Sequence, residues 1–303
     1  VAAGAGSRVS FELTGYSRGT MVAPLISSSL SAVQVPHGFS TRVGGVSAAT
    51  PAADFASLNF GNPGDLVEHR DPPAHIARNF ELMAEAIRAP GREIVQVHQV
   101  HGAAVHVVRR GAPAHPAAHD TKADAIVTDD PARLLAVRVA DCCPILLAGG
   151  DGSIVGAVHA GWRGVVCAND VGPTGSGTVA ARGVLAPAVQ AMRTLGASSI
   201  VAAIGPCISI EHFEVGPEVL EQFRSLFGED AESRGLFRST PSGKGFISLQ
   251  ACLRVQLEAL GVSRIDTIER CTVREPEHFF SHRRDRGRTG RLVGVIGAKN
   301  NGA

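Results

Sequence analysis

Cys142 and His159 stand seventeen positions apart, in Ala140-Asp141-Cys142-Cys143-Pro144 and Val158-His159-Ala160-Gly161-Trp162-Arg163-Gly164, each where an apolar, strand-like run meets a turn. A thiolate and an imidazole so placed are candidate ligands of one metal. A third donor is available at His101, in Gln99-Val100-His101-Gly102, beside the β-branched run from Val105 to Val108. One thiolate and two imidazoles leave a tetrahedral zinc one ligand short, and an open position, holding water or substrate, separates a catalytic site from a closed structural one. The first reading is therefore an enzyme.

The alternatives at these residues are a Cys142–His159 nucleophilic dyad and a buried cysteine with two satisfied core histidines. A free thiol has a pKa near about 8.5, so only about 3% is thiolate at pH 7. A neighbouring Asp141, if close in space, would reduce that further. A bound metal deprotonates a coordinating thiol outright, so the ligand reading explains Cys142 better than the dyad does. His98 precedes His101 by three residues and would face the other way in an extended stretch, and Cys143 is turned from Cys142 by strand alternation. Both are assigned to packing or to support of the ligands.

The elements that must position these groups follow from periodicity. Ile76, Phe80, Met83 and Ile87 share one helix face, and Val184, Leu185, Ala188, Val189, Met192 and Leu195 mark another helix, with Pro187 tolerable only in its first turn. Further helices are predicted over 217–227 and 249–260. Closely spaced strands are predicted at 125–127, 134–139, 145–147 and 154–158, then at Ile200 to Ile204 (stopped by Gly205-Pro206), 265–268 and 292–296. No linker separates two halves and no repeat appears. The expected fold is α/β (mixed α+β), a single layered helix-on-sheet domain with a mixed β-sheet.

Residues 1–30 are assigned to a disordered lead, rich in Ala, Gly and Ser over its first 24 positions, with Met21 a candidate natural start; residues 31–300 are assigned to the domain. The segment 110–122, with His115 and His119, reads as a solvated loop rather than a second metal site. The glycine-rich stretch 171–178 lacks the lysine that a phosphate-cradling loop requires.

A net charge of +1 with dispersed Lys and Arg excludes the basic stripe of a nucleic-acid binder, so a small-molecule partner is expected. No apolar stretch approaches the roughly 18–20 residues that span a bilayer. Six cysteines in 303 residues, two of them adjacent, do not resemble a secreted disulfide framework, which makes the expected location cytoplasmic.

Eight motifs occur in order: Gly38-Phe39-Ser40-Thr41-Arg42-Val43-Gly44-Gly45-Val46-Ser47, Ser57-Leu58-Asn59, His98-Gln99-Val100-His101-Gly102, Ala123-Asp124-Ala125-Ile126-Val127-Thr128, Ala140-Asp141-Cys142, His159-Ala160-Gly161-Trp162-Arg163-Gly164, Ile204-Gly205-Pro206-Cys207-Ile208 and Phe279-Phe280-Ser281-His282-Arg283-Arg284. Together they resemble the laccase-domain family, also called the multicopper polyphenol oxidase family and described as purine nucleoside phosphorylases, from about residue 36 to 297. The resemblance implies zinc held by His101, Cys142 and His159. It implies phosphorolysis of adenosine, inosine, guanosine and methylthioadenosine, with adenosine deamination as a side activity, in a monomer or small homo-oligomer. Three departures bear on the pocket rim: a second cysteine after Cys142, the glycine-rich insert after Gly164, and Ile247-Ser248-Leu249 where relatives usually have an Asp.

Phosphorolysis needs an anion held under the ribose and help for charge on the departing purine. Arg42, beside the flexible Gly44-Gly45, is the candidate for phosphate, and Arg42 and Asp141 are the candidate catalytic residues. Ser40, Asn59, Arg163 and Arg283 are candidate substrate ligands, each with an ordinary structural alternative as a turn former or surface ion pair. Trp162 either packs a core edge or stacks a purine. The rival function is copper-dependent phenol oxidation, since copper outcompetes zinc in raw affinity. A multicopper cluster needs more ligands than three, and no His-x-His occurs in the chain. A non-enzymatic scaffold would hold its metal with no open position.

Overall fold

The computed structural model describes residues 21–113, 120–167, 179 and 182–300. The chain order is α1 (Ser28–Ala32), β1 (His37–Phe39), α2 (Pro73–Ala86), β2 (Glu93–Val95), β3 (Val105–Val108), β4 (Ala125–Thr128), β5 (Arg133–Val139), β6 (Cys143–Gly149), β7 (Val155–Ala160), α3 (Trp162–Val166) and α4 (Leu185–Thr194). It continues with β8 (Ile200–Ile204), β9 (Glu214–Val215), α5 (Pro217–Phe227), β10 (Phe237–Ser239), β11 (Gly245–Ile247), α6 (Leu249–Ala259), β12 (Arg264–Thr267) and β13 (Leu292–Ile296). The strands form a six-stranded sheet, β12-β8-β6-β7-β4-β3, a four-stranded sheet, β1-β13-β5-β2, and a small sheet, β10-β11-β9. Parallel and antiparallel pairs mix in both larger sheets, as in β3 with β4 against β4 with β7.

Burial explains the layering. In β5, Leu135 and Val137 face the six-stranded sheet, where they meet Leu146 and Ala148 of β6 and Val155 and Ala157 of β7. The intervening Leu134 and Ala136 turn outward to Phe80 and Met83 of α2. In the other sheet, Ile145, Leu147 and Val158 face outward against Val189 and Met192 of α4 and Leu253 and Leu257 of α6. Sheet packs on sheet, with α2 on one outer face and α3 to α6 on the other. Strands buried on both faces read as continuous apolar runs, which is why they stand out in the sequence without strict alternation. A one-residue slip would exchange the two apolar faces, so the packing fixes the register.

The single mixed α/β domain and the predicted helices and strands agree with this architecture. Pro187 is the third residue of α4, where its missing N–H is one the helix leaves unpaired anyway. The division of the strands into two stacked sheets goes beyond the expected layering. Within the lead assigned to 1–30, residues 21–30 are part of the fold: Leu25 and Phe39 exchange backbone hydrogen bonds of 2.8 and 3.0 Å, and Leu30 is fully buried. Asp266 fastens this stretch by accepting from the hydroxyls of Ser27, Ser28 and Ser29 and from the backbone N–H of Ser29. His115, His119 and the insert 171–178 lie outside the described residues. Among the described residues, no helix is long and apolar enough to cross a membrane.

Candidate metal centre and its cavity

The two larger sheets share an edge at which chain ends converge. β5 ends at Val139, and Ala140, Asp141 and Cys142 carry the chain from the four-stranded sheet into β6 of the six-stranded one. Val139 pairs with Leu292, Cys143 with Ala160 and Ala125 with Val158, so Arg291, Cys142, His159 and Asp124 all meet at this edge. A cavity of about 770 Å³ opens there.

One wall holds His101, Cys142 and His159, whose potential ligand atoms lie within 4.8 Å of one another. Asp124 organises them. Its fully buried carboxylate accepts from Nδ1 of His159 at 2.8 Å, which leaves the other ring nitrogen for a metal. It also accepts from the backbone N–H groups of Val100, His101 and Gly102 at 3.2, 2.9 and 2.7 Å. These bonds offset the cost of holding His101 in the left-handed region at φ 62°. A carboxylate bonded to the far nitrogen of a ligating histidine fixes both its tautomer and its ring orientation.

Burial pushes the Cys142 thiol up, but His159 and His101 beside it more than offset this and hold it at about 6. Burial likewise disfavours charge on His159, yet Cys142 and Asp124 raise it to about 9. Burial acts to raise the Asp124 carboxyl, whereas His159 and the backbone donors bring it below the ordinary range. The geometry thus favours a thiolate where a metal would need one. Gly161 is required by the same packing, because a Cβ there would lie 3.0 Å from Sγ of Cys142 and 3.1 Å from Cδ2 of His101. One thiolate and two imidazoles suit a borderline-soft divalent ion and leave a fourth tetrahedral position for the cavity.

The other walls divide by character. Trp162, Phe213, Ile208 and Leu249 form an apolar part, and Arg138, Arg291 and Arg70 a cationic one. Arg163 and Arg283 also line the cavity, but their guanidinium groups lie over Trp162 at 4.8 Å and over Phe213 at 5.5 Å. Arg283 in addition donates to the carbonyls of His212 and Glu214. Asp141 lines the cavity with its backbone at φ 85°, and its carboxylate accepts from the Thr272 hydroxyl at 2.5 Å and the Arg283 N–H at 2.6 Å. Asp141 therefore ties the link before Cys142 to the segment carrying Arg283.

Three expected site residues lie behind the cavity. Arg42 is ion-paired with Asp54, donates to the carbonyls of Ala56 and Pro276, and lies 4.5 Å above the Phe280 ring, so its fork is already occupied. Ser40 is buried and its hydroxyl accepts from the Val293 N–H. Asn59 is fully buried, donating to Asp71 and accepting from the N–H groups of Gly61 and Arg291. His98 faces the cavity, contrary to the alternation argument, because residues 96–104 do not form a regular strand. Cys143 is turned away, with its sulfur 3.7 Å from the Gly205 carbonyl. The residues missed by sequence reasoning are Asp124, Arg138 and Arg291. A lone arginine within the apolar run Leu134–Val139 was the available signal for Arg138.

The fold and this site define a class: a two-sheet α/β protein with three potential metal donors at the wall of a cavity. Residues 36–299 match the family described as multi-copper polyphenol oxidoreductase laccase, and the chain belongs to that family. A relative from Deinococcus radiodurans, named purine nucleoside phosphorylase, is 37% identical over 266 residues, covering 87% of this chain and 89% of its own. The Geobacillus stearothermophilus protein named purine nucleoside phosphorylase YlmD is 34% identical over 268 residues, covering 86% and 89%. Among solved structures, that of YlmD aligns with a TM-score of 0.69 at 31% identity over 90% of this chain and 94% of its own. The Bacillus licheniformis hypothetical protein YfiH aligns with a TM-score of 0.72 at 31% identity, covering 88% and 93%.

Proposed function

We propose that this chain is a zinc-dependent purine nucleoside phosphorylase that converts adenosine, inosine or guanosine and phosphate to base and ribose-1-phosphate, and methylthioadenosine to adenine and 5-methylthioribose-1-phosphate, with adenosine deamination as a side activity. The observation that carries the reading is the His101, Cys142 and His159 set, oriented by Asp124 in the wall of a nucleoside-sized cavity, in a chain whose relatives bear the phosphorylase name. Zinc held there would supply a positive charge able to polarise a substrate oxygen or nitrogen.

The chain's own residues perform the remaining tasks. The apolar wall of Trp162, Phe213, Ile208 and Leu249 takes the purine, whose flat face gains from burial against aromatic and aliphatic groups. Arg163 and Arg283, set over the two aromatic rings, line the same region and bind substrate from its rim. Asp141 acts as a positioning residue, because both its carboxylate oxygens are engaged in holding Thr272 and the Arg283 backbone.

Adenosine incubated with phosphate should yield adenine and ribose-1-phosphate, and without phosphate the remaining product should be inosine; chromatography separates the two. The purified protein should carry about one zinc per chain, lost in Cys142→Ala and His159→Ala and kept in Cys143→Ala. Phenol oxidation that follows added copper, with no nucleoside consumed, would establish the oxidase reading instead. A Cys142–His159 nucleophile draws on the same low thiol pKa, and it predicts turnover by the metal-free protein that alkylation of Cys142 abolishes.

A further inference from the structure

Six arginines stand in or near the cavity, and they differ in exposure and in what their guanidinium groups already hold. Arg42 is spent on Asp54 and Arg283 on two carbonyls and a ring, while Arg163, over the face of Trp162, and Arg70 are exposed to solvent. Arg138 and Arg291 are different. Neither has a carboxylate within ion-pairing distance among the described residues, and the Arg138 guanidinium makes no hydrogen bond there. Arg291 donates through Nη1 to the Thr289 and Gly290 carbonyls of its own turn, which leaves Nε and Nη2 without partners.

Resting on the phosphorolysis reading, we propose that Arg138 and Arg291 are the receptor for the phosphate co-substrate. Arg138 pairs with Val293 across β5 and β13, which sets Arg291 two residues away, just before β13 begins, so the two cations share one patch of the cavity wall. Burial depresses both guanidinium groups; Arg291 adds to the depression at Arg138, while Cys142, Asp65 and Asp141 oppose it at Arg291 from beyond ion-pairing distance. Two like charges held in one half-buried patch repel each other, and an anion bound between them relieves that repulsion. Both backbones are fixed in advance. The Gln99 side chain accepts from the Arg138 N–H at 2.8 Å and donates to its carbonyl at 2.7 Å, while Asn59 holds the Arg291 N–H at 2.8 Å. Gly61 keeps the approach open, since a Cβ there would lie 3.2 Å from Nη1 of Arg138.

In the reaction, a phosphate oxygen bonds to C1′ of the ribose as the bond from C1′ to purine N9 breaks. The electron pair leaves with the purine, and the proton carried by phosphate balances it on the base. The two planar forks match the phosphate oxygens, orient the attacking one, and hold the same group in the sugar phosphate product.

The test uses the full chain and inorganic phosphate alone, titrated calorimetrically, beside the KM for phosphate in adenosine cleavage. Arg138→Gln and Arg291→Gln should each weaken phosphate by about tenfold to a hundredfold in both measurements, with the KM for adenosine changed far less. Arg138→Lys, which keeps the charge and tolerates any folding demand for it, should recover only part of the affinity. Phosphate that binds in an Arg138-dependent way without any nucleoside cleavage supports this receptor and removes the phosphorylase reading. Cleavage whose phosphate KM is unmoved in the arginine variants, or moved by Arg42→Gln in their place, removes the receptor and leaves the reading. Wild-type protein that binds no phosphate also removes the receptor.

Discussion

Strand β5 carries an arginine near each end, and the two have opposite surroundings. Arg133 is buried and fully engaged: it pairs with Glu93 and Asp130 and donates to the carbonyls of Ala112 and Pro113. Arg138, five positions along, faces the cavity with no acid and no acceptor for its guanidinium among the described residues. Residue type and strand are the same, but Arg133 is buried and Arg138 half-buried at a cavity wall, and they differ in what their guanidinium groups hold. A charge that serves the fold is satisfied by the fold, whereas a charge left unsatisfied at a cavity wall is held for something that arrives.

The contrast can be broken most directly at Arg133. Arg133→Met strands the buried Asp130 carboxylate and should cost about 3 kcal/mol or more in urea unfolding, with phosphate affinity unchanged. Arg138→Met should leave stability unchanged or raise it. Equal stability losses in the two variants would erase the distinction.

The metal corner supplies an intermediate case, a carboxylate satisfied by the fold on behalf of a ligand. Asp124→Asn removes the charge-assisted bond to His159 and loosens the turn bearing His101. Zinc affinity, measured by competition with a chelating dye, should fall by about tenfold to a hundredfold. Unchanged affinity would mean that His101, Cys142 and His159 are positioned without it.

The smallest effect sharpens what satisfaction means. Asp266 is held by serine hydroxyls and one N–H, with no ion-pairing cation among the described residues. Burial acts to raise its carboxyl, but those donors bring it below the ordinary range. A folded-state pKa below the unfolded one contributes stability above the unfolded value and loses it as pH falls through the folded one. Asp266→Asn should therefore lower stability near pH 7 by a small amount and flatten the acid limb below about pH 4, where variant and parent converge. An acid limb identical to that of the parent would show that neutral donors confer nothing here.

Much of this was legible in the sequence, and what was not has a physical cause. Helices α2, α4, α5 and α6 announce themselves because one face of each is buried, and the central strands because both of their faces are. The metal donors stand out by residue type at strand ends. The short strands β1, β2 and β9 to β11 carry too few residues to show a period; β1, β2 and β9 owe their form to partners far along the chain, and β10 and β11 to each other. Asp124 sits in a motif that could be read, yet nothing local says that its carboxylate meets a ring 35 positions later. Arg42 misled for the same reason, since its partner Asp54 comes from a separate loop and uses up the charge that neighbouring glycines seemed to leave free.

The link Ala140 to Cys142 also acts as a measuring device. Only three residues lie between Arg138 on one sheet and Cys142 just before the first strand residue of the other, a reach of at most about 14 Å when fully drawn out. One small molecule can touch both, and a longer one must bend or protrude. Lengthening this connector by a single glycine would move the thiol relative to the guanidinium without disturbing either sheet's interior. Ligand length is thereby set by chain arithmetic, and the connector is the place where a designer would retune it.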